Sequence, residues 1–203
     1  MELKDEVTKE PFIFNEEDLL KLAKEISDLD ELKLSSLPDI ALYMDQITSF
    51  LDDKLKGFKR KEGDQILSKT MINNYTKDGI LMPPFKKKYS REHMIELIMI
   101  YHLKQVLSIN DIDKLFSPMV KKPLEDRELL STYEIFSHLL VDESNLFYSE
   151  FENRLTSLTD ESKPENKDSL LLTILLLSIR SGIEKRMAEK LIDTYYERKT
   201  GKV

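Results

Sequence analysis

The sequence predicts a mainly α-helical fold carrying one short basic hairpin. Three observations predict it. Apolar residues recur at helical spacing through most of the chain. Glycine and proline number only five and seven in 203 residues, which disfavours a turn-rich β sandwich. Pro83-Pro84 stands between a helix-stop signal and a run of lysines, where no helix can continue.

The elements follow in order. Residues 1–14 show no clear period. Asn15 to about Leu34 reads as a helix: Asn15 can cap it, Glu16, Glu17 and Asp18 suit its positive end, and Leu19, Leu22, Ile26 and Leu29 form a stripe. A second helix is expected from Ser36. Ser36-Leu37-Pro38-Asp39 supplies a capping hydroxyl, a first-turn proline and a carboxylate to reach back, and Ile40, Tyr43, Met44, Ile47 and Leu51 follow at helical spacing. Leu55–Gln65 reads as a loop or insertion holding the cluster Lys59-Arg60-Lys61. A short helix from about Ser68 to Lys77 stops at Asp78-Gly79, where Gly79 is a natural left-handed cap. Ile80–Pro84 must be extended, and Phe85–Tyr89 turns back, the size of a small wing or hairpin.

Ser90 caps the next helix. Met94, Leu97, Ile98 and Tyr101 line one face and Ile95, Met99, His102 and Val106 another, so this helix should be central. Ser108-Ile109-Asn110-Asp111 opens a helix expected to end at Pro118. Beyond Pro123 two helical stripes are expected, Leu129–Leu140 and Phe147–Leu155, with a break at Asp142–Asn145. A polar linker around Pro164 and a last helix from Asp168 to about Arg198 follow, with Gly182 able to bend it. Three regions result: an acidic N-terminal segment with one helix (1–35), a helix–hairpin–helix module (36–118) and a C-terminal helical region (119–203).

Net charge is −7, unevenly placed. Met1–Asp52 holds 5 basic and 14 acidic residues, Asp53–Arg91 holds 11 and 4, and Glu92–Val203 holds 15 and 20. The excess positive charge therefore sits in one 39-residue stretch, and a local basic footprint matters more for nucleic acid than the total does. With no cysteine, disulfides, thiolate metal sites and cysteine nucleophiles are excluded. The acidic first residues lack the apolar run of a signal peptide, and Leu170–Ile179 is half the length of a membrane span. A cytoplasmic setting without a membrane partner is expected. His93, His102 and His138 have no metal-pair spacing, and no glycine-rich phosphate loop or nucleophile elbow is present. Neither enzyme activity nor a cofactor is expected.

Lys69–Arg91 reads KTMINNYTKDGILMPPFKKKYSR. Tyr75 is followed, after three residues, by Gly79-Ile80-Leu81 and Pro83. Lys88-Tyr89 closes the turn before a helix that runs through Leu97–Leu103, and Ser108-Ile109-Asn110-Asp111-Ile112 comes next. This order resembles the MerR type of winged helix-turn-helix DNA-binding domain, over roughly 80 of the 203 residues. Leu37–Gln46 and Lys69–Tyr75 also look like segments of an uncharacterised bacterial domain family built on that winged plan. The chain departs from the MerR pattern in having Asn73 where an arginine is usual, a shorter wing and the inserted loop Leu55–Gln65. The resemblance implies sequence-specific binding of double-stranded DNA by a transcription regulator, with a long later helix pairing two subunits.

The residue chemistry agrees. A helix fits the major groove, and asparagine can pair bidentately with adenine. Asn73 and Asn74 are candidates for base contact, with Lys69, Thr70 and Lys77 on the same short helix. Lys86, Lys87 and Lys88 can reach phosphates beside the groove, Tyr89 closes the wing, and Arg91 in a first helical turn suits a facing anion. Lys59, Arg60 and Lys61 form a weaker second set. The C-terminal helices are expected to mediate homodimerisation, to sense a small-molecule ligand, or to fold back on each other. The rival reading is a winged-helix module that binds a protein and has no DNA target.

Overall fold

A computed structural model describes residues 16–27, 32–121, 126–158 and 166–196. Among these the chain is mainly α. Its helices are α1 (Glu16–Ser27), α2 (Met44–Lys54), α3 (Lys69–Lys77), α4 (Arg91–Lys104), α5 (Ile109–Lys121), α6 (Asp126–Leu158) and α7 (Asn166–Tyr195). Two short strands, β1 (Leu42–Tyr43) and β2 (Lys88–Tyr89), pair antiparallel, with Leu42 opposite Tyr89 and Tyr43 opposite Lys88.

The core is built around α4, buried at every residue from His93 to Tyr101. Ile47 and Leu51 of α2, Ile72 and Tyr75 of α3, Ile112 and Phe116 of α5, and Leu129 and Tyr133 of α6 close over it. A helix apolar on all sides must be covered on all sides, so the short helices become a shell around α4. Ile192 of α7 joins the same core, so the last two helices are packed into the module that precedes them.

Several expectations needed correction. The second helix does not begin at Ser36. The Ser36 hydroxyl donates to the Lys33 carbonyl at 2.6 Å, closing a single 3-10 turn over Leu34–Ser36, and the first helix therefore does not run to Leu34. Its Asn15 cap lies outside the described residues. The chain then extends through β1, and α2 starts only at Met44, where the Tyr43 N–H donates to Gln46 Oε1 at 2.9 Å. The cause is tertiary: β1 is needed as a partner for β2, and this pairing overrides a local start signal. Ile40 and Tyr43, expected on an apolar stripe, are exposed. Asp39 reaches Arg91, at 3.7 Å, instead of capping a helix.

Farther on, α5 passes through Pro118 to Lys121, because Met119 in the turn beyond still packs on the core. Helix α6 is unbroken at Asp142–Asn145, a stretch without proline or glycine, and α7 is unbroken at Gly182. Most of the expected linker, 159–165, lies outside the described residues. No helix among the described residues is long and apolar enough to cross a membrane.

Candidate nucleic-acid interface

The candidate surface is assembled from α3, the turn after it, and the hairpin that ends in β2. Ser68 starts α3: its Oγ accepts the Met71 N–H at 3.1 Å, satisfying one of the free donors of the first turn. Gly79 ends it at φ +76°, with the Ile80 N–H donating to Tyr75 O at 2.9 Å and the Gly79 N–H to Thr76 O at 3.3 Å. This double bond is a Schellman stop, and it turns the chain sharply away from the helix axis. Ile72 and Tyr75 are buried, so the helix is fixed about its axis. Lys69, Thr70, Asn73, Asn74 and Lys77 are consequently exposed together on its outer side. Lys69 is not free on that face, because its ammonium is paired with Asp45 of α2.

Beyond Pro84 the chain reverses in two residues. The Lys88 N–H donates to the Phe85 carbonyl at 2.9 Å, and the turn residues Lys86 and Lys87 sit at φ +49° and +64°. Two consecutive positive φ angles make a type I′ hairpin, which normally takes Asn-Gly. An L side chain in the left-handed region costs about 1 kcal/mol. Lys86, Lys87 and Lys88 are all exposed, and no ion pair among the described residues neutralises them. Lys86 lies over the Phe85 ring at 5.2 Å and Lys88 over the Tyr43 ring at 5.0 Å. These contacts steady the ammonium groups and leave their charge uncompensated.

The sheet pairing also corrects the expected wing. Strand β2 returns against β1, the segment before α2, and not against Ile80–Pro84. The hairpin itself is closed by the isolated bridge between Phe85 and Lys88. The hairpin is thereby anchored to the start of α2, beside Asp45 and Lys69.

Three expected contact residues lie elsewhere. Tyr89 is 3% exposed, packed edge-on against the His93 ring at 5.4 Å, and burial raises its pKa. Strand alternation, which points Lys88 outward, sends Tyr89 to the core. Arg91 turns inward, donating to the Leu37 carbonyl at 3.0 Å, so its charge holds the segment before β1. Lys59 is pinned to Asp52 at 2.7 Å, and Asp52 also accepts the Ile66 N–H at 3.4 Å. The Lys59 bond is the main cause of the lowered Asp52 pKa. Arg60 and Lys61 remain exposed.

Beneath the hairpin lie two buried titratable groups that the sequence did not single out. Glu96 is 2% exposed, and its carboxylate accepts only the Met82 N–H, at 3.5 Å; burial pushes its pKa up to about 7. One turn earlier His93 Nδ1 accepts the Ser90 N–H at 3.0 Å, capping α4, and burial lowers its pKa. A glutamate inside an apolar helical run was the available signal. Together they attach the Met82–Pro83 turn and the end of β2 to α4.

No curated protein and no solved structure matches this chain. A protein family does match: the one described as Domain of unknown function (DUF1836), over residues 32–137, more than half of the chain and the whole of the surface just described. The match runs from the 3-10 turn before β1 into the first third of α6, and on that span the chain belongs to the DUF1836 family.

Proposed function

We propose that the chain is a sequence-specific, double-stranded DNA-binding transcription regulator, with α2 and α3 as a helix-turn-helix of the MerR plan and the hairpin at Phe85–Tyr89 as its wing. The observation that carries this reading is the pair of lysines held in left-handed positions at the hairpin tip, next to the outward polar face of α3. A turn kept for stability alone would hold Asn-Gly there; lysine is favoured when an anion faces it. In this reading Thr70, Asn73 and Asn74 meet base edges in the major groove, and Lys77, Lys86, Lys87 and Lys88 meet the phosphates beside it.

A second part of the reading concerns α7. Leu172, Ile179, Ile183, Met187 and Leu191 are each about half exposed, at 52, 60, 54, 58 and 45%. They form a seam along a 30-residue helix, and a contiguous exposed apolar seam marks an interaction surface. A second copy of the chain covers this seam, and the paired protein reads two half-sites related by a two-fold axis.

The test is selection of bound duplexes from a random pool, followed by affinity against salt concentration. A single enriched motif, lost in the Lys86→Glu, Lys87→Glu, Lys88→Glu triple variant, is expected; mirrored half-sites are expected from the dimer. Each phosphate contact contributes roughly 0.9 to the slope of log affinity against log salt. A folded protein that enriches nothing overturns the reading and leaves a winged module that binds protein.

A further inference from the structure

On the side of α3 away from the hairpin, a cleft of about 390 Å³ opens between the loop after α2, Met71 of α3 and the last turn of α4. Ile66, Met71 and Tyr101 line it together with Arg60, Lys104 and Asp64. The Tyr101 hydroxyl donates to the Phe58 carbonyl at 3.3 Å, which ties the loop to α4. Lys59, at the back, is neutralised by Asp52. Arg60 and Lys104 differ: both are exposed and neither forms an ion pair among the described residues. Elsewhere in the module, Lys56 pairs with Asp53, Lys69 with Asp45 and Arg91 with Asp39.

The positions of these groups are fixed relative to the hairpin. Strand β2 leads into the first residue of α4, and Lys104 is its last. Fourteen residues at 1.5 Å each separate the two ends by about 21 Å. Around α3, Lys69 faces Asp45 and the hairpin side, while Met71 lines the cleft. The outward face with Thr70, Asn73, Asn74 and Lys77 lies between. A polar helix face flanked on both sides by unpaired cations matches a major groove, which has a phosphate strand along each rim.

We infer that this cleft receives the second phosphate strand, with Arg60 and Lys104 as its ligands, so that the protein clamps both rims of the groove that α3 reads. The inference rests on the DNA-binding reading and extends it with a residue, Lys104, that the basic stretch ending at Arg91 does not contain. Asp64 is the opposing element. Its Oδ2 accepts the Lys61 N–H at 3.0 Å, which shapes the loop and leaves a negative charge on the cleft lining. A phosphate in the cleft binds against that charge.

The experiment uses the full chain, a duplex carrying the selected motif, or a random-sequence duplex where selection returns none, and a salt series. Lys104→Ala and Arg60→Ala each lower the salt slope by about 0.9. Asp64→Asn tightens binding several-fold. Lys24→Ala, which removes an equal charge from an exposed site on α1, changes neither. Ethylation interference maps the rims: Lys104→Ala abolishes the interference on one strand, and the Lys86→Ala, Lys87→Ala, Lys88→Ala triple variant abolishes it on the other. Thermal melting confirms that each variant is folded. Unchanged slopes for Lys104→Ala and Arg60→Ala, with a reduced slope for the hairpin variant, overturn the clamp and leave the DNA reading intact. A wild-type protein that binds no duplex overturns both.

Discussion

Buried Glu96 and half-buried His102 respond to pH in opposite senses. Glu96 titrates near 7 in the fold because burial penalises its charged form, against about 4.5 in an open chain. Its contribution is therefore complete below pH 4.5 and is lost as pH rises to about 7, on the order of 3 kcal/mol. His102 sits edge-on between the Phe58 ring at 4.5 Å and the Phe136 ring at 5.3 Å, and burial lowers its pKa to about 4. Its contribution is complete above pH 6.5 and is lost as pH falls towards 4. The two slopes oppose each other between pH 4.5 and 6.5, and His93 adds to the histidine side. Urea titrations of the wild type should show in that window a slope set by the two histidines against the one glutamate. Glu96→Gln should make stability rise with pH more steeply than in the wild type, and His102→Phe should lower the slope below it. Parallel curves for all three proteins would refute this account. Neither group was legible as a titrating site in the sequence, since a lone glutamate and a lone histidine on apolar faces are defined by what covers them.

The hairpin and α3 make opposite demands on their residues. Replacing Lys86 by Asn and Lys87 by Gly relieves two strained positions, so the double variant should gain about 2 kcal/mol and melt several degrees higher. It should also bind DNA more weakly, with a lower salt slope. Higher stability with unchanged binding would remove the tip from the interface. For α3, Ser68→Ala removes the cap and should cost about 1 kcal/mol in a denaturant titration. Gly79→Ala should cost a similar amount through its φ alone, since the space for a methyl group is open. The Ser68 start, the Gly79 stop and the Ser90 start were readable because each is a local signal answered by a local bond. Ser36 misled because its hydroxyl serves a 3-10 turn, and the partner that draws β1 out of the expected helix is Lys88-Tyr89, far away in sequence. The positive φ angles at Lys86 and Lys87 were invisible for the opposite reason: no residue in that turn favours them.

At the scale of the molecule, α4 holds the candidate DNA surface on one side and the long helices on the other. Its centrality was legible from its all-round apolar composition; the continuity of α6 and α7 was not, because polar and small residues on a solvated helix resemble a break. If α7 pairs two copies, the Ile179→Glu, Ile183→Glu double variant should sediment as a monomer, keep its helical circular dichroism, and prefer single half-sites. A wild-type monomer would assign the α7 seam to another partner. The pairing of β1 with β2 joins segments about 45 residues apart by two residues on each side. On a ribosome, the strand Leu42–Tyr43 emerges well before the strand that must hold it, and the hairpin tip emerges after α3. A nascent chain that has not yet released Tyr89 therefore has the α3 segment but no anchored lysines beside it. Loop closure over that distance delays assembly of the complete surface until α4 has begun to collapse onto its neighbours. Under the DNA-binding reading, a chain stopped before Tyr89 should therefore bind DNA more weakly than the finished protein.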